Sequence, residues 1–153
     1  MTTLRFEIPG LPVAQPRARA TTVGGHARMY EAKKEHPIHT FKAAARLAAR
    51  ESLPGNQCLT EPLRLSAQFV FARPKRLTRK KDPEGWLPMP DKPDIDNLLK
   101  ALLDGLNEVV WVDDRQVFQV TDSSKWYGAR GEAPRTIVMV TRLSDPLATR
   151  ASH

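Results

Sequence analysis

Between Lys92 and Leu106 the chain carries an apolar stripe that leaves little choice of conformation. Ile95, Leu98, Leu99, Leu102, Leu103 and Leu106 recur at i, i+3, i+4, i+7, i+8 and i+11, the spacing of a helix face turned to a core. Pro93 favours an extended residue before it, and Asp94, Asp96 and Asn97 are N-cap types, so the helix is predicted to open there. In extended chain Asp94 and Asp96 project to one side. Once the helix has begun, Asp96 and Lys100 share a face that runs on to Asp104 and Asn107. Two carboxylates and an ammonium therefore meet at a helix start, where unpaired N–H groups attract anions. Such a group suits a hard cation such as Mg²⁺, with phosphate as a further ligand. On spacing alone, a solvated cap with an Asp96–Lys100 surface pair is the commoner explanation.

The 153 residues amount to one domain, with 41% hydrophobic residues, ordinary for a globular protein. A formal charge of +7 is not ordinary. It favours a polyanionic partner, either nucleic acid or an anionic membrane surface. No apolar run reaches transmembrane length and no signal-peptide pattern opens the chain. Cys58 is the single cysteine, which excludes an internal disulfide and fits a reducing compartment. The expectation is a soluble cytoplasmic protein.

Leu4–Ile8 alternates apolar and polar residues before Pro9-Gly10 and is predicted to be a strand. Gln15 to Tyr30 shows no periodicity and is expected to form an arginine-bearing, glycine-containing loop, with Arg17, Arg19 and Arg28 able to grip phosphates. Pro37 to Ser52 reads as a helix with an apolar face of Phe41, Ala44, Ala45, Leu47, Ala48 and Ala49, ended by Pro54-Gly55-Asn56. His36 and His39 have no thiol or carboxylate nearby and read as ordinary polar residues. Leu63 to Ala72 is a strand. Arg73 to Pro90 is the most basic stretch and is rich in proline, predicting a mobile charged loop beside the acidic cluster. Glu108 to Asp114 is expected to form a turn and strand, Gln116–Val120 and Arg135–Leu143 two more strands, and Lys125-Trp126-Tyr127-Gly128 the connection between them. The order strand–helix–strand–helix–strand–strand predicts a single α/β domain over residues 1–143. It has a mixed sheet of about four strands packed with two main helices, and a loose tail over 144–153.

Asp94-Ile95-Asp96-Asn97-Leu98-Leu99-Lys100 followed by Trp111-Val112-Asp113-Asp114-Arg115-Gln116-Val117 resembles the RusA family of Holliday junction resolvases. The match is strongest from Lys92 to Val120, and Pro16-Arg17 to Tyr30 resembles phage and prophage members. The resemblance implies three catalytic aspartates and a lysine, falling on Asp94, Asp96, Asp114 and Lys100. The spacer before the second motif is a residue shorter than in some members, which leaves Asp113 as the alternative to Asp114. By the same resemblance Asp94, Asp96 and Asp114 would hold Mg²⁺, with Mn²⁺ as a substitute, to activate a water at a scissile phosphate. Lys100 would stabilise charge on the phosphoryl oxygens, and Asp104 would orient Lys100 as its i−4 partner. Homodimers are implied too, because symmetric incision of a four-way junction needs two sites about a two-fold axis. Arg17, Arg19, Arg28, Lys75, Arg76, Arg79, Lys80 and Lys81 are expected to follow the DNA backbones. Two alternatives stand: a nuclease for flaps or other branched DNA, and a DNA-binding module without catalysis. Against the latter, a simple helix cap does not require a third acidic position at Asp114.

Overall fold

The computed structural model describes residues 2–16, 20–23, 26–29 and 33–143. The elements are β1 (Thr2–Pro9), β2 (Ala20–Val23), β3 (His26–Met29), α1 (Pro37–Ser52), β4 (Leu63–Phe71), β5 (Leu87–Pro88), α2 (Ile95–Gly105), β6 (Val117–Val120), β7 (Ser124–Tyr127) and β8 (Arg135–Arg142). Both long helices form where the 3.6-residue period predicts them. His36 opens α1, its Nδ1 accepting the Ile38 N–H at 3.1 Å, so this histidine is a helix cap.

The main sheet has six strands, two more than expected. Its order is β1-β8-β4-β7-β5, with β6 also paired to β4. β4 is the spine: it runs antiparallel to β8 and parallel to both β6 and β7. Leu63, Leu65, Ala67 and Phe69 of β4, Val138 and Val140 of β8, and Phe6 and Ile8 of β1 form one buried layer. Against it lie Ile38, Phe41, Ala45 and Ala49 of α1 and Leu98, Ala101 and Leu102 of α2. Small residues let α1 sit close, as its alanine content predicts, but Leu47 points outward and is exposed. No described helix is long and apolar enough to cross a membrane.

Three element assignments need correction. Lys125-Trp126-Tyr127 is not a connection but β7, a full member of the sheet. β6 and β7 follow one edge of β4 as a single interrupted strand. The break falls at Thr121–Ser123, where Asp122 takes φ 47° and the Ser123 hydroxyl accepts the Ala67 N–H at 3.1 Å, filling the ladder gap. Thr-Asp-Ser-Ser has the composition of a turn, and here it is only a kink. Glu108 to Asp114, expected to include a strand, is a run of turns in which Trp111 makes isolated bridges to Leu59 and Asn107. Part of the Gln15–Tyr30 stretch, expected as a loop, is the β2–β3 hairpin. Arg17, Arg19 and Tyr30, the side chain of Arg28, and residues 144–153 lie outside the described residues.

The basic stretch after β4 is folded. Arg73 is buried and donates to the carbonyls of Gly128 (3.0 Å), Leu77 (3.3 Å), Pro83 (2.6 Å) and Gly85. Arg130 donates from outside to the carbonyls of Thr78 (3.3 Å), Asp82 (2.6 Å) and Arg79. The stretch closes a few turns of its own, with the N–H groups of Leu77, Thr78 and Asp82 on the carbonyls of Pro74 (2.9 Å), Lys75 (3.1 Å) and Arg79 (2.9 Å), and two guanidinium forks collect further carbonyls. We expect Arg73→Met to cost about 2–4 kcal/mol, because four carbonyls lose one shared charged donor from a buried position. Urea unfolding reads this directly, and a loss below about 1 kcal/mol would mean that the loop stands without Arg73.

Candidate active site

The mouth of α2 is where the acidic motif lands. Asp94 occupies the N-cap position with extended backbone (φ −72°, ψ 143°), but its carboxylate does not cap the helix. Asp96 lies in the first turn, its Oδ1 accepting the Asn97 N–H at 2.9 Å. Asp94, Asp96 and Lys100 are all solvent-exposed. The cap-and-pair arrangement favoured by spacing alone does not form: Asp96 and Lys100 make no ion pair, and Lys100 has none among the described residues. The helix is held from beneath. Gln15 donates its N–H to the Asn97 carbonyl (2.9 Å), and Leu98 and Leu102 are fully buried.

Asp104 does not orient Lys100. It pairs with Lys42 of α1, and Arg46 next to it donates to the Gly105 carbonyl at 2.9 Å. These contacts dock the last turn of α2 on α1, where a Cβ at Gly105 would meet Lys42 Cγ at 3.1 Å.

The second motif is built around two anchors. Trp111 is fully buried with its indole N–H on Asn107 Oδ1 (2.9 Å), and Gln116 donates to the Leu59 carbonyl (2.8 Å). Between them, Asp113 and Asp114 have different duties. Asp113 caps the short 3₁₀ turn Asp114–Gln116: its Oδ1 accepts the Arg115 N–H at 3.0 Å, and Gln116 Oε1 accepts the Asp113 N–H at 3.1 Å. The Arg115 N–H holds the Asp113 carboxyl below its usual pKa range. Asp114 carries no such cap, and burial pushes its pKa up, aided by the neighbouring Asp113 and Asp104 carboxylates.

Within one chain, Asp114 does not join Asp94 and Asp96. Among the described residues no three His, Cys, Asp or Glu side chains come together to hold a metal ion. Sheet register gives the reason. Asp114 leads into Val117, which lies opposite Leu63, while the α2 mouth is tied to Lys125, which lies opposite Phe69. Leu63 to Phe69 is six steps along β4, roughly 20 Å at the strand rise. Asp114 and its neighbour Asp104 therefore mark the far end of α2.

The basic loop reaches the near end. Arg76 bonds Asp91 at 3.1 Å, and the Tyr127 hydroxyl donates to the same carboxylate. Burial raises the Tyr127 pKa, as does the Asp91 charge. Arg79 pairs with Asp82 at 3.5 Å. Lys75, Lys80 and Lys81 are exposed and without ion-pair partners among the described residues. Asp91, Lys125 and Tyr127 had no signal in the sequence, since nothing local links a strand after the second motif to the residues before the first.

Residues 9–141 match the family model described as "Endodeoxyribonuclease RusA". A relative from Bacillus subtilis (strain 168), the uncharacterized protein YqaN, is 31% identical over 149 residues, covering 94% of this chain and 99% of its own.

Proposed function

The chain belongs to the RusA endodeoxyribonuclease family, and from that premise we propose that it resolves four-way DNA junctions by paired, metal-dependent phosphodiester hydrolysis, in recombination and repair. The observation that carries this reading is the exposed Asp94–Asp96–Lys100 group at a helix start, beside an ordered basic loop.

The donor set at the α2 mouth fits Mg²⁺. That ion keeps several waters and takes one or two carboxylates together with substrate phosphate. Asp94 and Asp96 would supply two hard oxygens at the helix start, and the helix N-terminus favours an anionic phosphate as the next ligand. Bound there, Mg²⁺ would polarise the scissile phosphate and acidify an attacking water. Lys100, one turn along and without an ion pair among the described residues, is positioned for charge that builds on the phosphoryl oxygens. Asp114 is preferred over Asp113 as the third carboxylate, since Asp113 is engaged in its own cap.

Separation of Asp114 from the α2 mouth supports a site assembled between subunits of a homodimer. The Asp114 of each copy would serve the Asp94–Asp96 pair of the other, and a two-fold axis gives two such sites for symmetric incision. Lys75, Lys80 and Lys81, with Arg76 and Arg79, would meet the DNA backbones. Glutamine at Lys75, Lys80 and Lys81 should weaken junction binding and flatten the dependence of log K on log[salt] by roughly 0.9 for each phosphate left without its cation. An unchanged slope would take this loop off the DNA surface.

The deciding experiment is incubation of purified protein with a labelled synthetic junction, with Mg²⁺ and with chelator. Paired symmetric nicks that require the metal establish the reading. Junction binding without nicks under Mg²⁺ or Mn²⁺ overturns it in favour of a binding module, and preferential cutting of flaps would change the substrate.

A further inference from the structure

We propose that Lys125 is the positioning residue for Asp94: its ammonium bonds the carbonyls that deliver this aspartate to the mouth of α2. The inference rests on the metal-dependent reading of that site. Lys125 sits in β7 opposite Phe69 of the central strand, so its backbone is fixed by the sheet. From there its Nζ donates to the Asp91 carbonyl at 2.7 Å and the Pro93 carbonyl at 2.8 Å. The Pro93 carbonyl belongs to the peptide that leads into Asp94. Pro93 has no N–H with which to anchor the turn itself, so its carbonyl is the handle through which Asp94 can be held.

Two further ties mark this as a built support. Met89 donates its N–H to the Lys125 carbonyl at 3.2 Å, and the Tyr127 hydroxyl, two residues along the same strand, holds the Asp91 side chain. β7 thus grips the approach to α2 at Met89, Asp91 and Pro93, and only the Lys125 side chain reaches the last of these. A lysine suits the task because one ammonium has three donors on a flexible stem and can satisfy two carbonyls together. Groups that orient metal ligands in this way commonly change metal affinity or activity by roughly 10–100-fold.

The test compares Lys125→Met, Lys125→Arg and wild type as full chains, by single-turnover cleavage at saturating junction and by calorimetric titration with Mn²⁺ alone. Lys125→Met should cut at least about tenfold more slowly and bind Mn²⁺ more weakly, with junction affinity unchanged. Lys125→Arg, which can still donate to both carbonyls, should recover part of both losses. Should Lys125→Met fail to fold, Lys125→Gln, which keeps a neutral donor, is judged by the same two readouts. A variant that folds with wild-type cleavage and Mn²⁺ affinity overturns the inference. So does a slower variant whose Mn²⁺ affinity is intact and whose junction affinity falls in step with its rate, since that is general loosening. If wild type binds Mn²⁺ but cuts no DNA, the nuclease reading fails, and the Mn²⁺ titrations alone decide the role of Lys125.

Discussion

Asp96→Asn should bind a four-way junction as wild type does and fail to cut it, with the single-turnover rate down by more than about a hundredfold. Groups that only orient a metal ligand are worth roughly 10–100-fold, so loss of a direct ligand should exceed that range. Fold and affinity should survive for a structural reason. Asp96 is exposed on the first turn of α2, and its carboxylate bonds the N–H of its own neighbour, which an asparagine carbonyl oxygen can accept equally well. Removing a negative charge beside a phosphate path should, if anything, tighten binding slightly. Calorimetry with Mn²⁺ should show the matching loss of metal affinity. Retained cutting would remove Asp96 from the metal site, and loss of junction binding would make it part of the DNA surface.

How much of this was legible in the sequence depends on how local each feature is. α1 and α2 were readable because their apolar residues keep a helical period over several turns, and β4 and β8 because long alternating runs have few other uses. β7 was not readable. Its four residues follow Asp122-Ser123 and precede Gly128, a turn-like setting, and its strand character comes only from pairing with β4. The order of the Arg73–Pro90 loop was equally hidden. A buried arginine that binds four carbonyls has the same letter as one bathing in solvent, so only tertiary structure separates Arg73 from Lys75, Lys80 and Lys81.

The site divides along the same line. Asp94, Asp96 and Lys100 lie within two helical turns of each other, so spacing alone groups them. Asp114 was assigned by motif, and its distance from the group is set by strand register, which no local pattern encodes. Lys125 is the reverse case: close to the site in space and silent in sequence. The choice between Asp113 and Asp114, open from spacing, turns on a capping box seen only in the folded turn.

Equal amounts of Asp96→Asn and Asp114→Asn protein, each inactive alone, should regain junction cleavage when mixed and allowed to exchange subunits. If the Asp114 of one copy serves the Asp94–Asp96 pair of the other, a mixed dimer has one site with both substitutions and one with neither. Random exchange makes about half of the dimers mixed, so about a quarter of all sites become intact. The product should then be single nicks rather than paired ones, since each active dimer holds one working site. If each site were instead complete within one chain, both sites of a mixed dimer would carry a substitution and the mixture would stay inactive. This result is insensitive to stability, because neither aspartate lies in the buried core and both single variants act as controls. Recovery would fix the minimal catalytic unit as the dimer, and the place of Asp114 beside Asp104 at the far end of α2 would explain why one chain cannot cut by itself.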